Sequence, residues 1–295
     1  MILPDDIGEV SGLQVTFLMD DYAGYNSGYL ASHGISLLLD IASGEVKRRV
    51  LLDVGPNPIP LLFNMEKAGI DPSSIDMIFL SHCHYDHTFA LADIVKEMKK
   101  NVMIIAHPDI FRKNFSLKPC LEEIGASDKN NPDNLVSLGG QIIPVRHPFP
   151  LMEGVISSGE VARVNSFEGK GIGTYNLVDG ELRPDELLDD LSLIINLKDM
   201  GLLVVTGCSH SGIINIIEHA VNITGIEKVY GVIGGLHLVS ADDQVIEATI
   251  GHLEKYNLRL LAPGHCTGIK AQYRISERFG ERCLLPHSGK IISIL

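Results

Sequence analysis

The stretch Ile75-Asp76-Met77-Ile78-Phe79-Leu80-Ser81-His82-Cys83-His84-Tyr85-Asp86-His87 decides how the chain is read. Its first half is an apolar run of strand length. Its second half places four metal-competent side chains, His82, His84, Asp86 and His87, within six residues. Imidazole and carboxylate are donors suited to zinc, iron or manganese. Alternate residues of an extended segment share a side, so His82 and His84 project together. A single histidine is ordinarily a packed or solvated group, whereas four ligands at the exit of a buried strand are hard to explain by packing. Cys83 and Tyr85 are read as packing residues of the same loop.

Outward from this run, short Val-, Ile- and Leu-rich segments alternate with helical patterns. Residues 15–19, 35–41 and 50–54 read as strands of an antiparallel opening, with a turn at Ser43-Gly44. Residues 59–68 read as a helix ended by Gly69, and 88–100 as the helix that follows the histidine run. Further strands are expected at 75–80, 102–106, 141–145, 191–197, 202–206, 228–232 and 258–262, and further helices at 213–221 and 242–255. The least regular stretch, 108–140, holds Pro119, Pro132 and a polar patch at 127–134, and reads as an insertion. With no repeat or composition shift, residues 1–295 are read as one α/β domain.

Composition narrows the function classes. The formal charge of −13 argues against binding nucleic-acid backbones, which relies on Lys and Arg to release counterions. No apolar run reaches the length of a membrane span, and residues 1–6 lack a basic region followed by an apolar one. The five cysteines are odd in number and show no pairing rhythm, which suits a reducing cytoplasm rather than a disulfide framework. Association into a homo-oligomer is left open.

The run at 82–87 matches in full the His-x-His-x-Asp-His motif, and the chain thereby resembles the metallo-β-lactamase superfamily. The resemblance implies a four-layered αββα sandwich, in which two mixed β-sheets are flanked by helices, and a site for two divalent metals, zinc first, iron or manganese as alternatives. It assigns His82 and His84 to one metal and Asp86, His87 and His265 to the other, His265 standing in Ala262-Pro263-Gly264-His265. Asp53 resembles an early Asp that orients the metal loop. In Leu202-Leu203-Val204-Val205-Thr206-Gly207-Cys208-Ser209-His210, Cys208 stands where many members place a bridging Asp. It either ligates as a thiolate or packs as a small apolar side chain. His210 is the first candidate for the remaining histidine ligand, with Asp189, Asp190 and His147 as alternatives.

Ser209 and Ser211 precede an expected helix whose free N–H groups and dipole would favour an anionic substrate group, or which Ser211 simply caps. His237, in Gly234-Gly235-Leu236-His237-Leu238, follows a core strand and is read as a general acid, and His33 as a substrate contact. With Asp86 holding metal and nucleophile in line, two metals and an activated water imply hydrolysis of a small anionic ester, lactone or phosphodiester. The segments Ser32-His33-Gly34-Ile35-Ser36-Leu37, 206–212 and 234–238 resemble a subgroup of dihydropterin–ribofuranosylaminobenzene phosphate synthases, which implies a pterin-linked transferase as the alternative. Residues 88–90, Thr-Phe-Ala, depart from the small glycines usual there and put bulk beside the site. The cysteine at position 208 also admits a metal-binding or sensing protein without turnover.

Overall fold

A computed structural model describes residues 6–169 and 173–295; most of the N-terminal stretch read above lies outside the described residues. The chain begins β1 (Gly12–Met19), β2 (Ser36–Ser43), β3 (Val46–Leu52), α1 (Pro58–Lys67), β4 (Met77–Phe79), α2 (Tyr85–Thr88), α3 (Leu91–Met98) and β5 (Val102–Ala106). The next stretch holds β6 (Asn114–Ser116), β7 (Glu122–Glu123), α4 (Pro132–Ser137), β8 (Gly140–Pro144), β9 (Phe149–Met152), β10 (Val155–Ser157), β11 (Tyr175–Val178) and β12 (Glu181–Pro184). Then come β13 (Ser192–Leu197), β14 (Gly201–Thr206), α5 (Ile213–Thr224), β15 (Val229–Gly235), α6 (Asp243–Lys255), β16 (Leu260–Gly264), α7 (Ile269–Phe279) and β17 (Ile291–Ser293).

Two large sheets result, ordered β17-β1-β2-β3-β4-β5-β8 and β16-β15-β14-β13-β10-β9, with β12-β11-β6-β7 as a smaller third. Successive side chains of a strand face opposite ways, and the sequence uses both faces. Phe17, Leu37, Leu39, Val50 and Leu52 of the first sheet meet Leu193, Ile195, Leu203, Val205 and Ile233 of the second in a central core. Their neighbours Leu18, Leu38, Leu51 and Ile78 turn outward onto Leu61, Met65, Leu91 and Val95 of α1 and α3. Ile194, Val204 and Val232 turn the other way onto Ile213, Ile217, Ile250 and Ile275 of α5, α6 and α7. The layers are therefore αββα.

The histidine run departs from expectation in one respect. The single helix expected at 88–100 is two: α2 carries Asp86 and His87, and α3 follows only after Phe89 and Ala90. The expected insertion at 108–140 contains β6, β7 and α4, and two hairpins, β9–β10 and β11–β12, lie at 149–157 and 175–184. Among the described residues no helix is long and apolar enough to cross a membrane.

Candidate metal centre

Strands β3, β4, β5 and β8 run parallel, as do β14, β15 and β16, so their carboxyl ends gather at one rim. That edge is where open α/β sheets place ligands. Asp53 follows β3, the histidine run follows β4, Cys208 and His210 follow β14, His237 follows β15, and His265 follows β16. Asp53, Ser209, His237 and His265 all adopt left-handed backbone, φ 57°, 64°, 48° and 46°. Such conformations are costly for non-glycine residues and collect at functional sites; here they turn each loop sharply over the end of its strand.

Two donor groups form. His82 Nε2 lies 3.0 Å from His84 Nδ1 and 3.1 Å from His210 Nε2. His87 Nε2 lies 3.1 Å from Cys208 Sγ and 3.5 Å from Asp86 Oδ2, which is 3.2 Å from His265 Nε2. The donor atoms of His82, His87 and Cys208 also lie within 4.8 Å of one another, so the sulfur stands between the groups. All seven residues are buried. Donor atoms around one zinc, bonded at about 2.0–2.1 Å in a tetrahedron, sit roughly 3.3 Å apart, which matches these spacings. Ring nitrogens facing one another in pairs cannot all be satisfied by shared protons, and His265 Nε2 is buried without an aligned hydrogen-bond partner. The residues therefore fit divalent cations.

The far sides of three rings, His82, His87 and His265, are anchored in the manner of metal-binding histidines, whereas His84 Nε2 and His210 Nδ1 are buried without a partner. Asp53 Oδ2 accepts from His87 Nδ1 at 2.7 Å and from Ser81 Oγ at 2.7 Å, while its Oδ1 accepts from the Ser81 N–H. Ser81 Oγ in turn contacts His82 Nδ1 at 2.9 Å. Asp21 Oδ1 meets His265 Nδ1 at 3.0 Å, and Asp20 Oδ2 accepts the His265 N–H. Asp189 Oδ2 accepts the Cys83 N–H and its Oδ1 pairs with part-buried Arg112, which pins the loop from below. Sequence reasoning assigned Asp53 but missed Ser81, Asp20, Asp21 and Arg112. The only local signal for Asp20 and Asp21 is a carboxylate pair at the end of an apolar strand.

Electrostatics divide the cluster. Burial pushes His84 down to about 4 and holds His82 and His210 well below the ordinary histidine value, which keeps these rings in the neutral, ligating form. Burial would lower His87 too, but the Asp86 and Asp53 carboxylates outweigh it and raise that ring to about 9. Burial opposes the charge on Asp86, yet His87 and His265 hold its carboxyl well below the usual range.

Of the alternatives for the middle ligand, Asp189 and Asp190 are engaged elsewhere, Asp190 Oδ2 accepting the Ser211 N–H, and His147 is exposed. His210 is the residue that the fold brings to His82 and His84. His33 reaches in from the mouth, with Nδ1 3.3 Å from Asp21 Oδ2 and Nε2 3.5 Å from Asp86 Oδ2. His237 lies beside His210, ring centroids 4.4 Å apart and planes tilted by 52°. Together they line a cleft of ≈ 430 Å³ whose apolar rim includes Tyr22, Tyr85, Val239 and Ile269.

The expected anion site at Ser209 and Ser211 needs correction. The N-cap of α5 is Gly212, not Ser211. The second and third N–H groups of that helix, Ile214 and Asn215, are taken by the Glu168 carboxylate. The Ser209 hydroxyl donates to the Gly235 carbonyl. The protein's own carboxylates have filled the positive end of the helix.

A family model described as the metallo-β-lactamase superfamily matches residues 24–162. The 7,8-dihydropterin-6-methyl-4-(β-D-ribofuranosyl)-aminobenzene-5′-phosphate synthase of Methanocaldococcus jannaschii is 40% identical over 290 residues, 97% of this chain and 98% of that one. The chain belongs to the metallo-β-lactamase superfamily. An uncharacterised protein of the same organism is 32% identical over 266 residues, 90% of this chain and 95% of that protein. The crystal structure of a metal-dependent hydrolase of the β-lactamase superfamily superposes with a TM-score of 0.78 at 24% identity, over 96% of this chain and 99% of the other, and shares the metallo-β-lactamase fold. Membership of this superfamily implies an enzyme that binds divalent metal, and the donor groups described above are where this chain would hold it.

Proposed function

We propose that the chain is a binuclear-metal-dependent hydrolase of a small anionic substrate carrying an ester, lactone or phosphodiester bond. The observation that carries this reading is the pair of abutting donor groups at the floor of one cleft. His82, His84 and His210 would hold one metal, Asp86, His87 and His265 the other, and Cys208 would contribute its sulfur between them. Zinc is the metal proposed; iron and manganese accept the same nitrogen and oxygen donors. Bound there, the metals would supply Lewis acidity and activate water.

The chain's residues supply position and protons. Asp86, kept ionised beside His87 and His265, accepts a proton or orients the attacking group. His33 is raised above the ordinary histidine value, first by its hydrogen bond to Asp21, which favours the charged ring facing a substrate anion at the mouth. His237, part-exposed in the cleft beside His210, is placed to return a proton to the leaving atom. The apolar rim excludes water around the substrate.

The test is a panel of model esters, lactones and phosphodiesters offered to the zinc-, manganese- and ferrous-loaded chain. Cleavage by a loaded form and not by His84→Ala supports hydrolysis; no cleavage of any member by any loaded form rejects it. The 40% identical synthase favours a second reading, a transferase joining a pterin to an arylamine. A condensation product formed from a dihydropterin diphosphate ester and an arylamine by the loaded chain, with the ester and lactone panel untouched, would replace the first reading by the second.

A further inference from the structure

Cys266 follows β16 and Cys208 follows β14, with β15 lying between. Two strand spacings separate such loops by roughly 9–10 Å, too far for two thiols to meet without help from the intervening strand. Gly235 provides that help. A Cβ at Gly235 would lie 2.6 Å from Cys266 Sγ and 3.3 Å from Cys208 Cα, so any side chain there would fill the space where the loops converge. In its absence Cys266 Sγ donates to the Cys208 carbonyl at 3.6 Å, and the donor atoms of Cys208, Cys266 and His265 lie within 4.8 Å of one another. The His237 N–H fixes the Cys266 sulfur from the other side at 3.3 Å. Both thiols are free, and both border the cleft, which admits a small oxidant.

We propose that Cys208 and Cys266 form a reversible disulfide that withdraws the Cys208 sulfur from the metal cluster. With hydrogen peroxide as oxidant, one sulfur attacks a peroxide oxygen, giving a sulfenic acid and one water. The second sulfur then displaces that oxygen as another water and closes the S–S bond. Two thiols are oxidised, one peroxide is reduced, and both thiol protons leave in water. Closing the bond brings the sulfurs to about 2.05 Å, which turns Cys208 away from His87 Nε2. The effect on metal rests on the ligand role proposed for Cys208; the disulfide does not.

The experiment treats the metal-free full chain with hydrogen peroxide, denatures it, alkylates remaining thiols with iodoacetamide and maps the peptides. Two of the five free thiols are expected to be lost, with Cys208 and Cys266 peptides joined and the chain two hydrogens lighter, and dithiothreitol restores all five. Cys208 and Cys266 that both stay alkylatable, or that gain oxygen singly without joining, overturn the disulfide, and this result needs no variant. In Cys266→Ser the cross-link is absent and Cys208 is found as a single thiol or its oxide. Zinc loaded beforehand is expected to protect the pair; cross-linking at an unchanged rate with zinc bound overturns the coupling to metal.

Discussion

Asp53 has no atom facing the donors' centre, yet three anchoring hydrogen bonds end on its carboxylate, from His87, from the Ser81 hydroxyl and from the Ser81 N–H. Partners of this kind typically carry about 10–100-fold of metal affinity. Asp53→Ala is therefore expected to weaken zinc binding by about that factor in a chelator competition, and unchanged affinity would contradict the assignment. The pH dependence of the metal-free chain follows from the same residues. His82, His84 and His210 are lowered in the folded state, His84 to about 4, so the unfolded chain binds more protons below 6.5 and stability is lost as pH falls through that window. Asp20, raised by burial to about 7, works in the opposite sense between 3.8 and about 7, and Asp190 and Glu168, also raised by burial, act in the same sense as Asp20. His87, raised to about 9, contributes stability that is present below 6.5 and lost as pH rises through about 9. The denaturation midpoint of the metal-free chain should therefore pass through a maximum near neutrality; a midpoint still rising at pH 9 would be inconsistent with these shifts.

At the scale of elements, the loops over the strand ends carry the function, and their tolerances are testable. A Cβ at Gly207 would come 2.2 Å from Ser81 Oγ and 2.8 Å from Asp53 Oδ2. Gly207→Ala should thus cost about 1–3 kcal/mol of stability and also lower metal content, because it displaces the anchor of His87. Glu168 accepts from the first turn of α5 and from the Asn165 side chain, away from the donor groups: Glu168→Ala is expected to cost about 1–2 kcal/mol in thermal or denaturant unfolding with metal content unchanged, and loss of metal would contradict its role as a helix cap. The long strands and helices were legible because alternation and helical period are strong there, as in Leu37, Leu38 and Leu39 facing two cores in turn. The β9–β10 hairpin was not, being short and interrupted by Pro150 and Gly154. Helix α7 escaped although Ala271, Gln272, Ile275 and Phe279 form a buried stripe of helical period, because only Ile275 and Phe279 in it are large and apolar and the rest of the helix is polar. Strand β17 is three residues that exist as a strand only by pairing with β1.

Across the whole molecule, the two sheets bring residues far apart in sequence to one rim, and this limits what sequence can disclose. The motif at 82–87 was readable because it is local, and His265 and Cys208 through family resemblance. Asp21 meets His265 from 244 positions away, a pairing that its local sequence does not specify, and the occupation of the α5 terminus by Glu168 depends on a loop whose course composition does not fix. The parallel strands of both sheets point their carboxyl ends at the same cleft, where two donor groups form, and the central proposal is a count of two metals per chain. Elemental analysis of the metal-replete chain beside the His84→Ala/His265→Ala variant measures that count. The account predicts two equivalents in the parent and a large loss in the variant; a parent chain that takes up no metal would contradict it.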